Sequence, residues 1–150
     1  MRRPEEALIV VHRPAPEGRE FLVLERAPDR QGYWHVVAGA LEWEEGAAAA
    51  AERELLEETG LAASVEDLGG DYAYRLDDEP PEVRARFAPE VEEIKIHAFA
   101  AEAPAGWEPQ LDEEHVGYRW CSAEDAVELL EYEEPRAAVR ETARRLGAAT

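Results

Sequence analysis

The sequence predicts an α/β fold, and three observations carry the prediction. Short β-rich runs at residues 7–12 and 21–26 flank a stretch containing proline and glycine, and residues 93–99 alternate apolar and polar with period two. Residues 46–59 form a long alanine-, leucine- and glutamate-rich segment ending at Gly60, which reads as one central helix. Two further helices are expected at residues 122–130 and 135–146, where Ala, Val and Leu recur at spacings suited to covering one side of a sheet. A chain of 150 residues with no shift in composition reads as one domain with a real core.

In order, residues 7–12 and 21–26 pair as a hairpin through Arg13, Pro14, Ala15, Pro16, Glu17 and Gly18. Residues 32–38 make a strand that runs from aromatic to apolar and delivers Gly39, where the backbone must turn sharply or approach a ligand closely. Beyond the central helix, residues 62–68 and 71–76 are strand candidates joined by Gly69 and Gly70. Pro80 and Pro81 remove ladder donors and make residues 77–82 a loop. In residues 93–99, Ile94, Ile96 and Ala98 face one way, as expected of a one-sided strand. An acidic loop at residues 112–114 leads into a strand at 115–120. Ser122 caps the next helix three residues before Asp125, and Pro135 suits the first turn of the last one.

The central helix holds the chemistry. At about 100° per residue, Glu54, Glu57 and Glu58 fall within one arc, with Ala48, Ala51, Leu55 and Leu56 expected on the other side. Like charges on one face repel, so the arrangement suits a cation, and hard oxygen ligands favour Mg²⁺ or Mn²⁺ over zinc. Arg53 lies four residues before Glu57 and can orient that carboxylate, Glu45 caps or braces the loop, and Gly60 is placed for a left-handed helix end.

Gly39, five residues, Glu45, seven residues and then Arg53-Glu54-Leu55-Leu56-Glu57-Glu58-Thr59-Gly60-Leu61 match every fixed position of the Nudix box. A chance match by composition is about one in 10⁵. The chain therefore resembles the Nudix hydrolases. The turn is less glycine-rich than the common form, with Ala38 and Ala40 on either side of Gly39. Glu114-His115 followed by Tyr118-Arg119-Trp120 resembles a segment of the dihydroneopterin triphosphate and dATP pyrophosphohydrolases, and also of the diadenosine tetraphosphate hydrolases.

The resemblance implies an α/β/α sandwich with a mixed sheet between the box helix and the C-terminal helices. It implies Mg²⁺-dependent, or Mn²⁺-dependent, hydrolysis of a phosphoanhydride in a nucleoside or pterin triphosphate, with release of pyrophosphate. Diadenosine polyphosphate hydrolysis and a catalytically silent nucleotide sensor are the alternatives. The implied metal site is Glu54, Glu57, Glu58 and Glu114, with Glu113 as a rival to the last and with Glu57 either a ligand or the group that orients water. Glu57, Glu58, Glu114 and Arg53 form the implied catalytic set.

Substrate contacts are expected at Arg26, Trp34, Gly39, Arg84 and Arg86. Each has a plainer reading: Arg26 as a surface residue, Trp34 as core packing, Arg84 and Arg86 as partners in local ion pairs. His35 reads as a packed or solvent-facing strand residue, and residues 132–136 as a border of the substrate site.

Composition narrows the partners. With 35 acidic and 16 basic residues the net charge is −19, which disfavours nucleic acid and anionic membranes but admits a phosphorylated small molecule where a metal inverts the local sign. The apolar run at residues 7–11 is too short for a signal-peptide core or a membrane span, so a cytoplasmic location is expected. Cys121, the single cysteine, reads as a structural thiol, and no motif specifies an oligomeric state.

Overall fold

The computed structural model describes residues 1–147. Eight strands form one mixed sheet within them, with helices on both faces. β1 (Glu5–Ala15) and β2 (Gly18–Arg26) form the expected hairpin, and Gly18 takes a φ of 121° at its turn. β1 is the centre of the sheet. β7 (Glu93–Glu102) runs parallel to it along one edge, from Glu5 opposite Lys95 to His12 opposite Glu102. Two strands share its other edge: β2 pairs with residues 12–15, and β4 (Val37–Ala40) with residues 6–9.

β1 is buried on both faces, which is why residues 7–11 read as an unbroken apolar run. Ala7, Ile9 and Val11 belong to one core cluster with Ala50, Ala51 and Leu55 of α1 (Ala47–Thr59). Leu8 and Val10 belong to the other, with Ala126 of α3 (Ala123–Leu129) and with Ala138, Val139 and Ala143 of α4 (Glu133–Leu146). The α/β/α sandwich with its mixed sheet is thus present. Ser122 Oγ accepts the Asp125 N–H at 3.1 Å, as the cap spacing predicts, whereas α4 begins at Glu133, two residues before Pro135. Proline is harmless there because first-turn N–H groups have no partner inside the helix.

Three sequence readings need correction. Residues 32–38 do not make one strand: β3 (Trp34–His35) pairs with β2, the chain steps at Val36, and β4 then pairs with β1. β7 is one-sided only at its start, since Ile96, Ala98 and Ala100 pack toward α3 and α4 while Phe99 and Ala101 pack toward α1. Leu56 and Ala48 of α1 are exposed, whereas Glu58 is buried beside Ala51 and Leu55. The carboxylates therefore border the packed face of the helix instead of opposing it.

Short elements complete the sheet. β5 (Glu66–Asp67) and β6 (Tyr72–Arg75) both pair with β7, and Gly69 and Gly70 between them adopt positive φ. The proline loop winds into α2 (Pro81–Arg84), and β8 (His115–Cys121) pairs with β2. Cys121 is a free, partly buried thiol. No helix among the described residues is long and apolar enough to cross a membrane.

Candidate active site

The box loop, the end of β4 and the first turns of α1 are tied together by one side chain. Arg53 Nε and Nη2 donate to the two Glu45 carboxylate oxygens at 2.8 and 2.9 Å, and Nη2 also donates to the Ala40 carbonyl at 3.1 Å. Its Nη1 reaches Glu54 at 2.9 Å and Glu57 at 3.4 Å. Arg53 thus grips Glu45 bidentately and touches Glu57 only loosely, so its orienting action falls mainly on Glu45 and Glu54. Glu45 accepts the Glu42 N–H at 3.0 Å, and its carboxyl is pulled down to about 2, first by the Arg53 hydrogen bond.

Gly39 is required by proximity, not by a turn. It lies within β4 opposite Ala7, and a Cβ built on it would sit 2.1 Å from Glu54 Cδ. The missing side chain is the space that the Glu54 carboxylate occupies. Gly60 does serve as the helix end, with φ 82° and its N–H donating to the Leu56 carbonyl at 2.9 Å.

Glu54 and Glu58 are within hydrogen-bonding reach of each other, and both carboxyls are pushed above the usual range, first by burial. The Glu58 side chain is only 4% exposed. His115, buried at the start of β8, has Nδ1 2.7 Å from Asp112 Oδ1, which leaves Nε2 facing Glu58 Oε1 at 3.8 Å. A buried and a half-buried carboxylate at such range cannot both ionise cheaply without a cation.

Among the described residues no three carboxylate or imidazole groups form a finished metal cage. The reason is visible: Glu114 Oε1 is bound to Arg30 at 2.7 Å, and the Glu57 side chain is 57% exposed. The donors nevertheless suit a hard divalent ion, because carboxylate oxygens crowd the place that Gly39 leaves open, and burial raises both carboxyls where a cation would offset their charge. Glu113 is exposed and Glu114 faces the cleft.

The cleft beside this pair has a volume of about 490 Å³. Arg26, Gly39, Glu54, Arg86 and Glu114 of the predicted residues line it. Arg26 lies over the Tyr33 ring at 5.2 Å and donates through Nε to the Arg30 carbonyl at 3.2 Å, so its terminal nitrogens remain available. Two predicted contacts lie elsewhere. Trp34 packs against the core under α3 and α4 with Arg119 over its ring at 5.2 Å, because alternation along β3 turns it away from His35. Arg84 projects from α2 into solvent, while Arg86, just past the helix, reaches the rim.

Residues 132–136 do border the cleft, through Tyr132, Glu134 and Pro135. His35 lines it too, and burial pushes its imidazole down to about 4. Tyr33 and Tyr132 meet edge to face at 5.0 Å. Glu6 and Tyr74 also line the cleft and were not singled out in the sequence, although a half-buried carboxylate next to the apolar β1 run is unusual.

The domain family described as NUDIX domain matches residues 2–143. The chain belongs to the Nudix hydrolase family. Within that family it is 27% identical over 141 residues to the dihydroneopterin triphosphate diphosphatase of Haemophilus influenzae, covering 91% of this chain and 85% of that one. It is 36% identical over 140 residues to an octanoyltransferase of Myxococcus xanthus, covering 93% of this chain and 35% of that protein. The similarity thus spans about a third of the Myxococcus relative. The solved structure of the Escherichia coli dihydroneopterin triphosphate pyrophosphohydrolase superposes with a TM-score of 0.79 at 25% identity, covering 96% of this chain and 97% of that one. The Nudix fold of this chain therefore extends well beyond its box.

Proposed function

We propose that this Nudix hydrolase acts as a single domain on a nucleoside or pterin triphosphate, using Mg²⁺ to cleave the bond between the α- and β-phosphates and release pyrophosphate. The observation that carries the proposal is the Glu54–Glu58 pair, packed beside Gly39 at one side of a cleft that also holds Arg26 and an aromatic wall. The likeness to dihydroneopterin triphosphate diphosphatase supports the choice of a triphosphate. Glu54, Glu58 and Glu114 would hold the ion, Glu114 exchanging its contact with Arg30 for it. Bound there, Mg²⁺ would supply positive charge against the phosphate oxygens and Lewis acidity toward water.

The remaining steps belong to the chain. Arg26 offers its terminal nitrogens to the phosphates, and Tyr33 beneath it keeps the guanidinium in place. Arg53 fixes Glu54 through a 2.9 Å hydrogen bond. Glu57, restrained only by the 3.4 Å contact with Arg53, is free to take a proton from water. The water oxygen bonds to one phosphorus of the α–β anhydride, the bridging oxygen leaves with the other phosphoryl group, and the proton passes to Glu57. Most of the rate gain comes from charge stabilisation and alignment.

The test is phosphate and pyrophosphate release from dATP, dGTP, dihydroneopterin triphosphate and diadenosine tetraphosphate, with Mg²⁺ and after chelation. Pyrophosphate from a triphosphate, lost on chelation, is the expected result. Turnover of the dinucleotide alone would replace the proposal with the diadenosine reading, and binding without metal-dependent turnover would replace it with a sensor.

A further inference from the structure

Glu6 has no part in the box and is a poor choice for the fold. It lies on β1 with Ala40 of β4 on one side in register and Ile96 of β7 on the other. Its hydrogen-bond partner is Tyr74 of β6, whose hydroxyl donates to Oε2 at 2.7 Å. Arg2 and Arg26 act on it only through longer-range attraction. A half-buried carboxylate held among strands by one neutral donor carries a desolvation cost that an apolar residue would avoid. Glu6 lines the cleft beside Tyr74, together with Ala38 and Ala40, whose methyl side chains take up little of its space.

The chemistry of that carboxylate is specific. An ionised carboxylate offers about four lone-pair positions, so accepting the Tyr74 hydroxyl leaves room for two more donors side by side. A guanine or a pterin presents such a pair, the ring N–H next to the 2-amino group of its 2-amino-4-oxo edge. Adenine presents one amino donor beside a ring acceptor, which a carboxylate repels. Tyr33 and Tyr132 border the same cleft and suit a flat ring.

We propose that Glu6, held by Tyr74, is a specificity-determining residue that reads the paired N–H donors of a 2-amino-4-oxo heterocycle, the edge shared by guanine and pterin. The proposal rests on the triphosphate reading above and sharpens it: adenine nucleotides are the poor substrates. Two arriving N–H donors also offset the burial that pushes the Glu6 carboxyl up in the free protein.

The test compares dGTP with dITP, which lacks only the 2-amino group, and with dATP, in the wild type, Glu6→Gln and Tyr74→Phe. The wild type is expected to prefer dGTP over dITP by about tenfold in kcat/KM, and the ratio falls close to one in Glu6→Gln. Tyr74→Phe gives an intermediate ratio, mainly through KM. Calorimetric binding of dGMP against dIMP without Mg²⁺ reads the same contact independently of turnover. If no triphosphate is hydrolysed but dGMP binds more tightly than dIMP through Glu6, the triphosphate reading fails and this one stands. Equal use of dGTP and dITP, or an equal loss on all substrates in Glu6→Gln, as expected for a contact to the sugar, overturns it. Dihydroneopterin triphosphate in the same assay separates the two sources of the edge: the larger kcat/KM names the heterocycle.

Discussion

At Gly39 a single absent methyl group decides where a carboxylate goes. Gly39→Ala places a Cβ where Glu54 now stands, and because the obstacle is the end of a flexible side chain, Glu54 swings away while the strand remains. The expected result is a loss of about 10²-fold in kcat with a melting temperature within a few degrees of wild type, measured side by side. Glu58→Gln behaves differently. It removes a buried carboxyl whose protonation is already favoured by burial and by Glu54, so in chelator the variant melts at or above the wild-type temperature. Added Mg²⁺ then raises the melting temperature of the wild type and scarcely moves that of the variant. Equal stabilisation of both by Mg²⁺ would remove Glu58 from the metal site.

The box helix works as an element only because both of its ends are fixed. At its C-terminus Gly60 holds φ 82°, and Gly60→Ala is expected to cost about 1–2 kcal/mol by denaturant titration, with Gln110 near enough for ordinary contact and not for a clash. At the other end the Arg53–Glu45 fork closes the loop onto the helix. The glycine at the helix end and a bracing role for Glu45 are legible in the sequence, but the fork is not. Helical spacing aims Arg53 at Glu57, which it reaches only at 3.4 Å, while its two short bonds to Glu45 go back to the loop. Nor is the burial of Glu58 legible, since a helical arc names neighbours on the helix and says nothing about which arc meets the sheet. Trp34 and Arg84 illustrate a similar gap: their types suit a substrate, but alternation along a two-residue strand and the winding of a one-turn helix point them elsewhere. Glu6 was hidden for the opposite reason. Only the register of β1 with β4 and β7, and of β6 with β7 beyond, brings it to the cleft beside Tyr74, and pairing between distant strands leaves no local mark.

For the molecule as a whole, acid acts through groups of opposite sign. His35 has its folded value depressed to about 4 from 6.5, so its contribution is complete above pH 6.5 and is lost as the pH falls toward 4. Glu45, depressed to about 2, contributes above pH 4.5 and loses that contribution below it. The raised Glu58 and Glu54 carboxyls act in reverse in the metal-free protein, favouring the fold at low pH and losing that advantage as the pH rises through their folded values. The difference in unfolding free energy between wild type and His35→Gln isolates the first effect. It should shrink steadily between pH 6.5 and 4, and a difference independent of pH would refute the assignment.

The position of β1 has a consequence for the order in which the chain is made. Its hairpin partner follows at once, but β7, which covers its other edge from Glu5 to His12, ends at Glu102. A nascent chain emerging from the ribosome therefore carries a half-covered apolar strand until about two thirds of it has been synthesised. Ribosome-tethered chains stopped before residue 93 should stay sensitive to protease and bind holdase chaperones, and those extended well past the last helix should resist. The strand that centres the finished sheet is thus open along one edge for most of the chain's synthesis.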